Sequence, residues 1–133
     1  MPFVPKAKQI SWTHHAEAKM AFYKLSKQRV MRVIHSPKRV EEGIAPKTIA
    51  IMQPTSVRSN RADVVLAKAG TRAFKNNSSK ETWSQEIWVM VQDLGKQRKI
   101  ISAWRYPGMT RPRSEIAMDT LRREYREFLK GKR

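Results

Sequence analysis

The sequence predicts a single α+β domain in which helices near the two ends of the chain cover a central, mostly antiparallel sheet. Two observations predict this class. Apolar residues recur at helical spacing near both ends, whereas the middle of the chain holds nearly continuous apolar runs that are typical of buried strands. The length of 133 residues suits one domain, so residues 1–133 are assigned to one unit.

Two helices are predicted near the amino end, over residues 14–25 and 27–35. Thr13 and Ser26 precede them, and each offers a side-chain oxygen that can cap the first turn of a helix. The second helix ends before Pro37, because proline disfavours helical geometry in the residue that precedes it. The short connection between the two helices predicts a helical hairpin.

The predicted sheet has three to four mostly antiparallel strands. Apolar runs at residues 48–53 and 86–92 indicate strands that are covered on both faces. A polar turn with a glycine then returns the chain as a strand at residues 99–106, and residues 38–44 are the fourth candidate. Residues 9–12 form a further short candidate in front of the helices.

Regular alternation along residues 99–106 assigns the side chains of this strand to two faces. The set on one face is Ile101, Ala103 and Arg105. The set on the other face is Ile100, Ser102, Trp104 and Tyr106. Of these, Trp104 is predicted to be a core residue, as is Trp88 in the preceding strand.

A helix is predicted over residues 113–130, and Gly131 ends it. Its apolar stripe consists of Met118, Leu121, Tyr125, Phe128 and Leu129. Serine, asparagine and basic residues dominate residues 55–82, where we predict a mobile insertion. Residues 1–8 contain two prolines and are predicted to be a loose lead-in.

The charge of the chain is strongly unbalanced. Lysine and arginine number 28, against 11 aspartates and glutamates, and the net charge is +17 at pH 7. Basic residues outnumber acidic ones by nine to three in residues 1–45 and by eight to four in residues 111–133, so no single tail carries the excess. A folded surface of this kind attracts polyanions through release of counterions. The composition therefore predicts nucleic acid as partner, RNA rather than DNA, with an acidic protein as the alternative.

The chain contains no cysteine, which excludes disulfides and thiolate metal sites. No apolar run approaches the roughly 20 residues of a membrane span. The first ten residues lack the apolar core of a signal peptide. We therefore expect a cytoplasmic protein that does not bind membranes.

Several short stretches carry a family resemblance. The segment SWTHHAEAKM places His15, Ala16, Lys19 and Met20 in a recurring opening pattern, and LSKQRVMRVIHSPKR follows as a second helix with a terminating proline. WVMVQD and KIISAWRY then supply a final hairpin. Together these stretches resemble small domains that are grouped with BrnT-like and RelE-like ribonuclease toxins.

The resemblance extends over about residues 9–54 and 84–108. It implies a compact sheet with packed helices and a metal-independent surface that cleaves RNA. Lys99, Arg105 and Tyr106 match the scattered basic residues and late tyrosine of RelE-like toxins. The predicted insertion and the helix at the carboxyl end depart from the compact family form.

RNA cleavage without a metal needs a base for the 2′-hydroxyl proton, a cation for the developing phosphorane and an acid for the leaving oxygen. His15 or His35 is the candidate base, because an imidazole titrates near neutral pH. Arg105 is the candidate phosphate ligand, since its planar fork matches phosphate oxygens. Tyr106 is the candidate proton donor or stacking ring. The alternative interpretation makes His15 a structural residue of a first helical turn and Arg105 an ordinary strand cation.

A second set of basic residues is predicted to position RNA through its phosphates. This set is Arg29, Arg32, Lys38, Arg39 and Lys99. The three histidines have no histidine partner at helical spacing and no carboxylate cluster near them, so no metal site and no cofactor are predicted.

Three functions fit these observations. The first is a toxin-like endoribonuclease. The second is a non-catalytic protein that binds RNA or ribosomes. The third is a protein-interaction module whose basic surface meets an acidic partner, as a toxin meets its antitoxin.

Overall fold

The computed structural model describes residues 9–57 and 81–131, in which three helices pack on a five-stranded mixed sheet. The strands are β1 Gln9–Trp12, β2 Arg39–Glu42, β3 Thr48–Pro54, β4 Gln85–Asp93 and β5 Gln97–Pro107. The helices are α1 His14–Tyr23, α2 Lys27–His35 and α3 Glu115–Lys130. The predicted α+β class and the helix at the carboxyl end are confirmed. Within the described ranges, no helix is long and apolar enough to cross a membrane.

Two predicted segments lie wholly or partly outside the described residues. The lead-in at residues 1–8 is one, and residues 58–80 of the insertion predicted at 55–82 are the other. The two ends of this insertion meet in space, because β3 pairs with β4. The backbone N–H of Thr55 donates to the carbonyl oxygen of Gln85 at 3.1 Å.

The strands are ordered β1-β5-β4-β3-β2 across the sheet. Strands β2 to β5 pair antiparallel with their neighbours, as predicted, whereas β1 pairs parallel with β5. The predicted count of three to four strands is therefore wrong, because β1 also joins the sheet. This four-residue strand finds its partner far along the chain, with Gln9 opposite Gln97, so no local pattern reveals the pairing.

Helices cover both faces of the sheet. α1 and α2 lie on one face, where the core includes Met20, Val30 and Val89. The core on the face of α3 includes the stacked rings of Trp88 and Trp104, whose centroids are 6.2 Å apart. The predicted helical hairpin is matched only in part, because α1 packs on β5 and α2 on β3 and β4. The two helices thus cover the sheet rather than one another.

Both predicted N-caps are present. Thr13 Oγ1 accepts a hydrogen bond from the backbone N–H of Ala16 at 3.0 Å, and Ser26 Oγ accepts one from the N–H three residues on, also at 3.0 Å. Thr13 does more than cap α1. Its hydroxyl lies 2.9 Å from the carbonyl oxygen of Ile100 and 3.1 Å from that of Ile101, and donates toward both. The start of α1 is therefore tied to β5.

Those two carbonyls lie at a β-bulge. Val91 pairs with Ile100 and Met90 pairs with Ser102, so Ile101 is the additional residue on β5. Ile100 consequently packs in the core beneath α1 and α2, and Ile101 packs in the core beneath α3. The predicted faces of these two isoleucines are therefore reversed, because regular alternation does not anticipate an inserted residue.

α3 buries most of its predicted stripe, with one exchange. Leu121 and Phe128 are buried as predicted, but Leu129 is 48% exposed. The inward position between the two buried residues is taken by Glu124, three residues after Leu121 and four before Phe128. Ser114 caps the amino end of the helix, and Gly131 caps its carboxyl end as predicted.

We predict that Thr13→Ala destabilises the fold more than Ser26→Ala does. Loss of either N-cap costs about 1 kcal/mol. Loss of the Thr13 hydroxyl also leaves two carbonyls at the bulge without their side-chain donor, which adds about 1 kcal/mol. Urea unfolding followed by circular dichroism measures both differences. Thr13→Ser retains the hydroxyl and should stay within about 0.5 kcal/mol of the parent protein. Equal losses for the two alanine variants would show that the bulge contacts add nothing.

Candidate functional site

Three arginines lie near one another where α2 faces the carboxyl end of β5, since Arg29 bonds to Gln53, which is one strand away from the neighbour of Arg105. Arg29 and Arg32 come from α2, and Arg105 comes from β5. Burial lowers the pKa of Arg29, and the positive charges of Arg32 and Arg105 lower this pKa further, which shows that the three groups lie within electrostatic reach of one another. In residues 9–57 and 81–131, no carboxylate pairs with any of these three residues. We call Arg29, Arg32 and Arg105 the arginine cluster.

Hydrogen bonds to neutral groups hold the cluster in place. Arg29 donates from a terminal nitrogen to Oε1 of Gln53 at 2.5 Å. Arg105 donates from Nε to the carbonyl oxygen of Tyr23 at 2.8 Å, and from a terminal nitrogen to Oε1 of Gln85 at 3.0 Å. Tyr23 is the last residue of α1, so the guanidinium of Arg105 covers helix carbonyls that have no partner inside the helix. A cation is also favoured there by the helix dipole.

The three predicted catalytic residues do not share one cleft. His15 is the second residue of α1, whereas Arg105 contacts Tyr23 at the other end of the helix. Eight residues of helix separate these points by roughly 12 Å. Tyr106 follows Arg105 on β5 but packs with the core on the face of α3. The structure therefore brings Arg105 to Arg29 and Arg32 rather than to His15.

A pocket of about 470 Å³ lies between the amino end of α1 and the carboxyl end of α3. We call it the α1 pocket. The residues that line it are Trp12, Thr13, His14, His15, Lys99, Phe128 and Gly131. Two predicted site residues, His15 and Lys99, are thus brought together here. In the part of the chain that the structure describes, neither the side chain of His14 nor that of Lys99 has a hydrogen bond or ion pair.

His15 contacts a buried carboxylate that the sequence did not predict. Oε1 of Glu124 lies 3.1 Å from Nε2 of His15 and accepts a hydrogen bond from the hydroxyl of Ser102 at 2.5 Å. Oε2 of Glu124 lies 2.8 Å from the ammonium of Lys19. Glu124 is 1% exposed and thus joins α1, β5 and α3.

The surroundings of Glu124 keep it ionised. Burial acts to raise the pKa of this carboxyl group, but the hydrogen bonds from Lys19, Ser102 and His15 outweigh burial and bring the pKa below its usual value. Glu124 is therefore a charged carboxylate that the protein encloses fully. One feature of the sequence indicates this carboxylate. Glu124 lies within the apolar helical stripe between Leu121 and Phe128 and is the one acidic residue in it.

Glu127 brings a second carboxylate to the same place. The ligand atoms of His15, Glu124 and Glu127 lie within 4.8 Å of one another. The prediction that no carboxylate cluster lies near the histidines is therefore wrong, because folding brings these distant residues together. The sequence concealed the cluster because His15 and Glu124 are 109 residues apart. The ammonium of Lys19 already supplies the positive charge that pairs with Glu124, so this donor set fits an internal ion pair better than a metal ion.

Two residues of the predicted RNA-positioning set are engaged within the protein. Lys38 pairs with Glu81. Arg39 donates from Nε to Oε2 of Glu41 at 2.8 Å, and from a terminal nitrogen to the carbonyl oxygen of Thr110 at 3.0 Å. Both lie beside the edge strand β2, away from the arginine cluster and the α1 pocket.

A second buried carboxylate fixes the loop after β5. Oε2 of Glu86 accepts from the indole N–H of Trp83 and the backbone N–H of Thr110, each at 2.9 Å. Oε1 accepts from the indole N–H of Trp88 at 2.9 Å and from the hydroxyl of Thr110 at 2.7 Å. All donors in this network come from the fold itself, so we assign Glu86 a structural role.

Comparison of the chain with protein-family models, with curated proteins and with solved structures gave no match. The structure thus describes an α+β domain with a net charge of +17, an arginine cluster near the carboxyl end of α1 and a pocket at the amino end of α1.

We predict that Glu124→Gln lowers the free energy of unfolding by about 1–3 kcal/mol at neutral pH, because Lys19 loses its counterion. The parent protein should also lose more stability than this variant as the pH falls. The pKa of Glu124 is lower in the folded chain than in the unfolded chain, so acid favours unfolding. Its contribution is complete above the usual pKa of a glutamate and is lost as the pH falls through the lower folded-state pKa.

Urea unfolding at about pH 7 and at acidic pH provides the test. Glu42→Gln is the matched control, since it makes the same change at an exposed position of β2. The control should follow the parent protein at both pH values. If Glu124→Gln and Glu42→Gln behave alike, the ion pair with Lys19 does not stabilise the fold.

Proposed function

We propose that the protein binds RNA and that the arginine cluster contacts RNA phosphates. The observation that carries this proposal is the meeting of three guanidinium groups with no carboxylate partner in the described ranges. Bringing three like charges together costs free energy in the isolated protein. A bound polyanion removes that cost, and the planar fork of arginine matches two phosphate oxygens at once.

The distribution of charge supports a polyanion over a small anion. The net charge of +17 is spread along the chain, so the excess of cations is not confined to one segment, as suits an extended polyanion. The resemblance to ribonuclease toxins favours RNA over DNA. An acidic protein is the competing partner, and it is distinguished by whether binding depends on the phosphates.

We predict that Arg32→Gln weakens binding of single-stranded RNA several-fold at low salt and lowers the salt dependence of binding. Arg32 is exposed, so the change removes a charge without disturbing the core. Loss of one phosphate contact on a single strand reduces the slope of log K against log salt by about 0.7. Fluorescence anisotropy with labelled RNA at several salt concentrations measures both quantities.

Arg123→Gln is the matched control for this experiment. It removes the same charge from an exposed position on α3, on the opposite face of the sheet. Its affinity and salt slope should stay close to those of the parent protein. Equal effects of the two variants would assign binding to total charge and remove the cluster from the proposal. If the parent protein binds polyglutamate as tightly as RNA, the acidic-partner hypothesis replaces RNA binding.

Metal-independent cleavage of RNA is the second candidate function. The contact between His15 and Glu124 favours it, because an imidazole whose ring is held by a carboxylate is a common arrangement for a general base. Because His15 and Arg105 lie at opposite ends of α1, the cation that would act with His15 in cleavage is not the predicted Arg105. Lys99 is the cation that shares the α1 pocket with His15.

We predict that, if the protein cleaves RNA, it does so in EDTA and that His15→Gln removes this cleavage. The glutamine retains a polar contact with Glu124 but cannot act as a base. Gel analysis of labelled mRNA and tRNA, with and without ribosomes, is the measurement. His35→Gln is the matched control, because His35 is the last residue of α2 and does not line the α1 pocket, and this variant should retain most activity. A lack of cleavage by the parent protein on all of these substrates removes the enzyme hypothesis and leaves RNA binding.

A further inference from the structure

We propose that the RNA held by the arginine cluster is single-stranded, with one unpaired base stacked on Phe22 and a neighbouring phosphate held by Lys24. This proposal rests on the proposed RNA binding and names the kind of RNA that the site accepts. Its basis is an exposed aromatic ring and an exposed lysine at the end of α1 that Arg105 covers.

The ring of Phe22 is open to solvent. Its exposed fraction is 75%, and no other aromatic side chain among residues 9–57 and 81–131 is exposed. The ring meets that of Tyr23 edge to face, at an interplanar angle of 84° and with centroids 4.8 Å apart. Such a contact occupies at most one face of a ring, so the other face of Phe22 is available to a base. A single exposed apolar residue is ordinary on a protein surface, so its neighbours decide what this ring can bind.

The nearest of these neighbours is the arginine cluster. Phe22 precedes Tyr23, whose carbonyl oxygen accepts a hydrogen bond from Nε of Arg105 at 2.8 Å. The carbonyl oxygen of Lys24 lies 3.5 Å from a terminal nitrogen of the same guanidinium. Residues 22–24 are consecutive, so their Cα atoms span at most about 8 Å. Two or three nucleotides cover that length at about 3.4 Å each, which allows one strand to contact both the ring and the guanidinium.

Lys24 adds a second cation at this end of α1. It is the C-cap of the helix and has a left-handed backbone, with φ 57° and ψ 48°. Glycine is the usual residue in this conformation, because a Cβ atom is disfavoured at positive φ. Within the described ranges, the side chain of Lys24 is exposed and forms no ion pair. An ammonium group thus stands beside Arg105 at a position where the backbone favours glycine.

Few negative charges oppose a phosphate at this place. Glu17 is the one acidic residue of α1, and its carboxylate lies 3.9 Å from the ammonium of Lys27. It precedes Phe22 by five residues, which is roughly 7.5 Å along the helix axis. The sequence of α2 contains no acidic residue. The exposed charges of α2 and of the carboxyl end of α1 are therefore positive.

An exposed ring beside phosphate ligands selects an unpaired base. The bases of an RNA duplex are stacked on one another and present only their edges in the grooves. A single strand leaves its bases free to stack on an aromatic side chain while the cations follow its backbone. Phe22 therefore favours a single strand, whereas the arginine cluster by itself accepts the phosphates of either form.

Fluorescence anisotropy with three labelled RNAs tests the stacking contact. The RNAs are an unstructured single strand, the same strand with its central bases removed, and a blunt duplex of equal length. Phe22→Ala should weaken binding of the intact single strand at least fivefold and leave its salt slope and the affinity for the duplex unchanged. The parent protein should bind the abasic strand as weakly as this variant binds the intact one. Phe22→Trp should retain the affinity. Ile116→Ala is the matched control, because it shortens an apolar side chain that is 58% exposed on α3.

Lys24→Gly tests the phosphate contact without disturbing the backbone, since glycine suits the left-handed conformation. This variant should weaken binding of the single strand several-fold and lower the salt slope by about 0.7, while its melting temperature should not fall. Lys47→Gly is the matched control. Lys47 is an exposed lysine with φ 63°, and its carbonyl oxygen accepts from Asp93 beside the loop between β4 and β5. Its replacement should leave RNA binding close to that of the parent protein.

The outcomes separate this proposal from RNA binding itself. If the parent protein binds RNA and Phe22→Ala binds the single strand as tightly, the stacking contact is overturned and the proposed function remains. An equal loss for the single strand and the duplex also overturns it, because a base inside a duplex cannot stack on the ring. If Lys24→Gly and Lys47→Gly have equal effects, the phosphate contact of Lys24 is overturned. If the parent protein binds none of the three RNAs, the proposed function is the part that fails.

Discussion

The hydroxyl group of Thr13 fixes α1 against β5, and the positions of the arginine cluster and the α1 pocket depend on this contact. Thr13 follows β1, and its hydroxyl group caps α1 and reaches the two carbonyl oxygens at the bulge of β5. A bulge disrupts part of the strand ladder, and Thr13 supplies donors there: its backbone N–H lies 3.2 Å from the carbonyl oxygen of Ile100, and its hydroxyl group reaches both carbonyls. Because the same hydroxyl serves as donor and cap, the axis of α1 is fixed relative to β5. His15 and Lys19 then lie opposite Glu124, and the other end of the helix lies opposite Arg105.

The fold withdraws negative charge from the surface. Glu41, Glu86 and Glu124 are 6%, 0% and 1% exposed, respectively. Among residues 9–57 and 81–131, the side chain of Glu86 accepts hydrogen bonds from four neutral donors. Glu41 and Glu124 are each paired with a cation, Arg39 and Lys19 respectively, so these two carboxylates take positive charge inward with them. Within the described ranges, no carboxylate pairs with Arg29, Arg32 or Arg105, so the arginine cluster retains its positive charge.

Local patterns in the sequence predicted most of the elements, because caps, strand runs and the stop at Gly131 depend on neighbouring residues. Thr13 and Ser26 each precede a helix, and the apolar run at β4 is buried on both faces. Pairings between distant segments were not predictable in this way. The parallel partner of β1 and the contact of Glu124 with His15 both join residues more than 85 positions apart. The bulge is equally hidden, since an inserted residue leaves the apolar pattern of β5 intact while it exchanges the faces of Ile100 and Ile101.

The candidate site was predicted as a set of residue types more successfully than as an arrangement. Arg29, Arg32, Arg105, His15 and Lys99 were all selected from the sequence as basic residues with a functional interpretation. Their grouping follows from packing, because α1 places its two ends far apart and each end gathers different neighbours. The sequence gives no distance between His15 and Arg105, so only the chemical types of these two residues could be predicted to fit a common site.

The arginines beside the carboxyl end of α1 change the charge that is expected at that end of a helix. An isolated helix has a positive amino end and a negative carboxyl end, so only its amino end should attract phosphate. Here the carboxyl end is covered by Arg105, whose full positive charge exceeds the partial negative charge of the helix terminus. Arg29 and Arg32 then extend that positive region along α2. The carboxyl end of α1 therefore lies beside positive charge from three arginines, which offsets the negative pole of the helix dipole.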